Sequence, residues 1–333
     1  MQLAKLLLLL AAVTISAASS HFLDQEWNTW KDKYEKKYPT EEDELFRRQV
    51  WEATWHKVQK HNELANQGLS KYTMGMHKFA DMTSEEHRSR SCLTSNKISV
   101  ASKKTPVQTH AKNLDIPRSF DWRDTNCVGP VQNQGSYCGS CWAFATVGVM
   151  ESHYCIRTTE MIKMSEQQLV DCDGKNDGCC GGLPIDALEY ISQKGLMQAK
   201  DYEYSEKKFA CLYNPGKAIM YNVTKYYSLP NELNMASAVA LDGPITVGID
   251  ASEDLMAYTR GIFDGQCTGE TNHAVIIVGY GTEHDYDKEE YVDYWIVKNS
   301  WGNDFGEDGY IKMKRNINQC GIASMAASLD LAH

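Results

Sequence analysis

A chain of 333 residues, 42% of them hydrophobic, holds enough apolar material for one large or two ordinary globular units and is neither disordered nor fibrous in composition. Its 34 Lys and Arg against 44 Asp and Glu leave a formal charge of -10 and a pI near 5.5. No basic stripe could neutralise phosphates, which speaks against nucleic acid as a partner.

The opening residues carry one charge at Lys5, an apolar run from Leu6 to Ile15, and the small residues Ala17, Ala18, Ser19 and Ser20. This is the layout of a signal peptide, too short for a spanning helix. A buried N-terminal core helix is the competing reading, and the small polar residues behind the apolar block argue against it. No later segment approaches a membrane span, so the chain is predicted to enter the secretory route, where disulfides persist. Its 11 cysteines suit that compartment, and the odd count leaves at least one outside any intramolecular bridge.

From His21 to about Cys92 the text is charged and punctuated by aromatics. Trp27, Trp30 and Tyr34 recur at helical spacing, as do Phe46, Val50, Trp51, Trp55 and Val58, with Pro39 between the two runs. The pattern predicts two amphipathic helices. Residues 95–113 are polar and aperiodic and read as an exposed tether, the kind of segment proteases cut.

Beyond Ile116 tryptophan, glycine and most of the cysteines appear. The run from Cys141 to Ile156 is apolar at helical period, with Ser140 as its candidate cap. Residues 245–250, 273–281, 294–302 and 309–315 are short β-rich runs between turn residues, predicting a mostly antiparallel second half. A helical lobe followed by a β lobe is expected.

Cys141, in Cys138-Gly-Ser-Cys141-Trp142-Ala-Phe144, opens a predicted helix, where unpaired N–H groups and the helix dipole favour a thiolate nucleophile. The same letters contain a Cys-x-x-Cys redox spacing, a thiol oxidoreductase reading that gives Trp142 and the distant residues no role. A thiolate needs an acid to protonate the leaving amine, and His273 is the candidate, although a histidine beside an apolar strand is more often a packed core residue. Asn299, in Asn-Ser-Trp-Gly, offers an acceptor to orient the imidazole, with Trp301 as apolar cover. Together the three have the roles of a catalytic triad.

At these residues the sequence resembles the papain family, and its cathepsin L-like precursors in particular. His273 and Asn299 follow Cys141 by 132 and 158 residues. The family places them roughly 130 to 150 residues downstream, and the acidic stretch 284–292 reads as a loop insertion that lengthens the second step. Glu44, Arg48, Trp51, Val58 and Asn62 match the first propeptide motif, with Thr54 where Asn is usual. Gly75, Phe79 and Asp81 match the second, with His77 in place of Asn.

The resemblance implies a two-lobed papain-like α+β fold, with a helical left lobe and an antiparallel β-barrel-like right lobe, preceded by a helical propeptide domain. It implies a signal peptide at 1–20, an inhibitory propeptide at 21–94, an activation linker at 95–115 and a peptidase domain at 116–333, with lobes of about 126–226 and 227–333. The propeptide would run through the cleft in reverse and block it until cleaved near Leu114 to Pro117. Bridges are implied between Cys138 and Cys179, Cys172 and Cys211, and Cys267 and Cys320. Cys92, Cys127, Cys155 and Cys180 are left open, either as buried free thiols or with a fourth bridge among the last three.

By the same resemblance Gln134 completes the oxyanion hole, Gly181 and Gly182 pair with the substrate backbone, and Leu183, Pro184, Gly248, Ala274 and Met325 line a pocket for a hydrophobic residue two positions before the cut. Two departures stand out. Tyr137 is an extra residue that sets Gln134 seven positions before Cys141, so the loop must bulge, and Cys180 stands where Asn is usual. They motivate a rival, a catalytically silent homologue acting as a binding protein. The absence of a long loop or His-His pair to cap the cleft favours an endopeptidase over an exopeptidase. Asn222-Val-Thr224 is a glycosylation sequon. No metal or cofactor is implied. Protein substrates, the chain's own propeptide and cystatin-type inhibitors are the implied partners, for a monomer of the lysosome or extracellular space.

Overall fold

The computed structural model describes residues 21–89, 93, 106–109, 116–285 and 289–332. The predicted signal peptide, Cys92 and most of the predicted tether and cleavage region lie outside them.

Helix α1 (21–33) and helix α2 (Glu41–Asn66) form the N-terminal unit. Thr40 caps α2 by accepting from the Asp43 N–H at 3.1 Å, and four acidic residues in the first turn complement the helix dipole. The predicted aromatic stripe becomes a small core in which Trp27 stacks on Trp30 and Tyr38 and meets Trp51 edge-on. Arg48 lies over the rings of Trp27 and Trp51 at 5.6 and 5.3 Å. Phe46 departs from the stripe: it is 48% exposed, because only Trp51 and Val58 of that helix are fully buried. Strand β1 (Tyr72–Met74) follows, clamped by Asn62, whose side-chain amide donates to Met74 O at 2.8 Å and accepts from its N–H at 2.9 Å.

The remaining chain builds a sheet and a helical layer. After β2 (Phe120–Asp121) comes α3 (Cys141–Thr158), then α4 (Glu166–Cys172), α5 (Pro184–Lys194), β3 (Val223–Ser228), α6 (Glu232–Leu241), β4 (Ile245–Ile249), β5 (Tyr258–Phe263), β6 (His273–Asp285), β7 (Glu290–Lys298), β8 (Tyr310–Lys314) and β9 (Ala326–Leu331). Helix α3 is apolar around most of its circumference and is therefore central. The sheet runs β1-β5-β8-β7-β6-β4-β9-β3, with β2 on β6. It is antiparallel as expected except for β5 and β8, which pair in parallel over two residues. The acidic stretch read as an insertion is the distal part of the β6/β7 hairpin, where Asp285 pairs with Glu290. Strand β1 adds the N-terminal unit to the sheet edge, Tyr72 opposite Gly261.

Candidate active site

Cys141 is the first residue of α3 and is fully buried. No acidic side chain occupies the first turn, so the positive end of the helix is uncompensated there. Ser140 does not cap the helix as expected; its hydroxyl is committed 2.6 Å away, to Tyr204. The Ala274 N–H reaches the Cys141 sulfur at 3.3 Å from the opposite lobe. A helix N-terminus and an N–H donor both favour sulfur as thiolate.

His273 opens β6 and Asn299 directly follows β7, and the antiparallel register of those strands brings them together. His273 Nε2 lies 2.8 Å from Asn299 Oδ1. The same oxygen accepts from the Ser300 N–H at 2.8 Å, which identifies it as the acceptor and makes Nε2 the protonated ring nitrogen. Trp301 stacks on His273 at 4.6 Å between centroids and shields this bond from water. Lys298, next in the chain, is buried, donates to Gly129 O at 2.7 Å, and is pushed down to about 8 by desolvation.

Gln134 is buried beside them. Its Oε1 accepts from Ser300 Oγ at 2.8 Å, its N–H donates to Ser300 O at 2.9 Å, and its Nε2 donates to Cys138 O at 3.3 Å. The inserted Tyr137 is 87% exposed, so the bulge points outward and Gln134 stays in the interior.

Gly248 pairs with Ala274 across β4 and β6, and its N–H donates to Met325 O at 2.8 Å, which gathers three of the five predicted pocket residues. Leu183 and Pro184 begin α5 and are buried. Asn176 accepts from the Leu183 N–H at 2.7 Å, and a Cβ on Gly182 would meet Asn176 and Trp142. Gly181 adopts φ 111°, a conformation suited to glycine. Leu93 of the N-terminal region, not singled out from the sequence, is 3% exposed and joins the apolar cluster that holds Cys141, Leu183 and Ala274, with Met325 packed against it.

Among the described residues there are four disulfides: Cys127–Cys155, Cys138–Cys179, Cys172–Cys211 and Cys267–Cys320. The first is the fourth bridge that the sequence left open among Cys127, Cys155 and Cys180, without naming the pair. The second occupies Cys138 and so removes the dithiol that an oxidoreductase would need. Among the described residues Cys141 and Cys180 are the cysteines outside these bridges, the latter exposed. No group of three or more His, Cys, Asp or Glu among these residues could hold a metal ion.

Residues 116–329 match the papain family cysteine protease domain, and residues 27–87 match the cathepsin propeptide inhibitor domain. The chain is 40% identical to a cathepsin L-like proteinase of Fasciola hepatica over 96% of its own length and 97% of that protein's. It is likewise 40% identical to procathepsin L of Felis catus, covering 96% and 98% of the two chains. The structure superposes on digestive procathepsin L2 of Tenebrio molitor with a TM-score of 0.83 at 36% identity, over 93% of this chain and 100% of that one. The chain belongs to the papain family of cysteine proteases. It is a cysteine endopeptidase, cathepsin L-like in kind, that carries an inhibitory propeptide.

Proposed function

We propose that Cys141, His273 and Asn299 carry out peptide hydrolysis, with Gln134 in the oxyanion hole. The Cys141 thiolate attacks the scissile carbonyl carbon, and the resulting oxyanion is held by the Gln134 side-chain amide and the Cys141 N–H. Collapse breaks the C–N bond, and the His273 imidazolium gives the departing amine the Nδ1 proton it took from the Cys141 thiol; water then hydrolyses the thioester to free acid and thiolate, its second proton returning to His273 Nδ1. Asn299 holds the imidazole in plane throughout. The observation that carries this reading is the convergence across the lobe boundary, His273 Nε2 on Asn299 Oδ1 at 2.8 Å and the Ala274 N–H on Cys141 Sγ at 3.3 Å.

Gly181 and Gly182 receive the substrate backbone, and Leu183, Pro184, Gly248, Ala274 and Met325 accept a hydrophobic residue two positions before the cut. The apolar side chain of Leu93, buried in the cluster containing Leu183 and Ala274, supports that preference. Production through the secretory route is supported by the N-terminal apolar run, the four disulfides and the exposed sequon residue Asn222. No helix among the described residues is long and apolar enough to cross a membrane. The enzyme acts as a monomer in lysosomal or extracellular fluid and is open to cystatin-type inhibitors. The silent-homologue rival rested on Tyr137 and Cys180; the outward direction of the Tyr137 bulge, which leaves Gln134 buried, weighs against it.

The test is acid-activated turnover of a fluorogenic peptide with a hydrophobic residue two positions before the cut. Thiol-dependent turnover that Cys141→Ala abolishes supports the reading. Processed, folded protein with no turnover overturns it.

A further inference from the structure

The loop from Gln134 to Cys141 is one residue longer than the family's, yet its working end is buried. Slack in an oxyanion loop matters, because a donor displaced by an ångström stabilises little. Something must take up the extra residue.

The phenol of Tyr204 spans both ends of this loop. Its hydroxyl donates to Gln134 O at 2.8 Å and lies 2.6 Å from Ser140 Oγ. A carbonyl only accepts, so the single phenolic proton goes to Gln134 and the Ser140 hydroxyl donates to Tyr204, giving a directed chain from Ser140 to Tyr204 to Gln134. Phe144 of α3 holds the ring edge-on at 4.8 Å. Two residues further, Glu206 sits at φ 55°, a left-handed conformation uncommon for its type. That turn lays its carboxylate over Gly135, 1.8 Å from where a Cβ would stand, and lets it accept from the Ser136 N–H at 3.3 Å. Ser136 is the residue immediately before the insertion.

We infer that Tyr204 and Glu206 are positioning residues for the oxyanion hole, a clamp that absorbs the Tyr137 insertion and keeps Gln134 in register with Cys141. Tyr204 fixes the chord across the loop, and Glu206 anchors the segment entering the bulge. The extra length is thereby forced into the solvent-facing residue Tyr137. This inference rests on the reading of Gln134 as oxyanion donor.

The test uses the full chain, acid-processed, with kcat and KM on a fluorogenic peptide and the affinity of a peptide aldehyde, whose oxygen takes the oxyanion position once the aldehyde carbon bonds to sulfur. Tyr204→Phe and Glu206→Ala each lower kcat by about tenfold, less than loss of the whole donor, with KM within about twofold and the aldehyde weakened in parallel. Glu206→Gln, whose side chain still accepts from Ser136, stays close to the parent. Deleting Tyr137 shrinks the Tyr204→Phe effect to under about threefold, since the clamp then has no slack to absorb. If the deletion does not fold, the Glu206 pair decides. Unchanged kcat and aldehyde affinity in Tyr204→Phe and Glu206→Ala, with both reduced in Gln134→Ala, overturns the clamp alone. Unchanged values in Gln134→Ala overturn the oxyanion reading beneath it.

Discussion

The imidazole of His77, in the inhibitory propeptide, packs edge-on against Phe305 of the peptidase region at 5.0 Å and faces Trp301, the same indole that stacks on His273. Both its ring nitrogens are buried without a hydrogen-bond partner. Desolvation, and after it the charges of Lys78, Lys33, Lys36 and His87, hold the docked ring down to about 3 from its ordinary 6.5. A group depressed in the docked state supports docking fully above its free value and loses that support as pH falls. Docking therefore weakens between pH 6.5 and 3, about tenfold for each unit. Glu86, held by Arg47 down to about 2, stays charged through this window and does not contribute to it. His77→Asn should flatten the rise in propeptide release between pH 6.5 and 4.5, read as processing half-time against pH. An unaltered profile would assign acid release to other groups.

Asn299→Ala removes the acceptor that orients His273. We expect kcat to fall by about 100-fold, the lower range for loss of general acid catalysis, with KM little changed. Steady-state kinetics on the processed enzyme measure it.

Gln134→Ala should lower kcat by about 10²-fold to 10³-fold. Because the side chain acts only once charge develops on the carbonyl oxygen, KM should hold, and the ratio of the two constants is the readout.

At Gly248 an added side chain meets Thr271 Cγ2 at 2.6 Å and Met325 Cε at 2.8 Å. Gly248→Val should therefore narrow the proposed pocket, lowering kcat/KM for leucine two positions before the cut by roughly tenfold or more while sparing alanine there. Equal losses for both substrates would place the specificity pocket elsewhere.

The Cys127–Cys155 bridge closes a separation of 28 residues. Replacing both cysteines with serine should cost about 2–4 kcal/mol, chiefly through a freer unfolded chain, and lower the melting temperature without changing KM.

Much of this molecule is legible in the letters because its chemistry sits in local contexts. Cys141 at a helix start, His273 at the head of an apolar strand and Asn299 before Ser-Trp-Gly each announce themselves, and the short β-rich runs between turn residues name the strands that bring them together. The illegible parts are relations between distant segments. Nothing near Cys127 points to Cys155, which lies within the last turn of the central helix α3. Ser140 has the letters of a helix cap, and only the distant phenol of Tyr204 explains why its hydroxyl turns away. Phe46 fits the helical period, but periodicity states which residues share a face and not how wide the partner surface is. Whether the Tyr137 bulge faces inward or outward depends on Tyr204 and Glu206, some seventy residues on in sequence.

The most direct test of the central claim is to titrate the processed enzyme with limiting iodoacetamide, following activity and mapping the modified cysteine. Two cysteines outside the disulfides compete among the described residues, buried Cys141 at a helix start and exposed Cys180. The account predicts that activity falls in proportion to alkylation of Cys141, reaching zero at one label per molecule. Full activity with Cys141 alkylated, or complete loss with only Cys180 labelled, would contradict it.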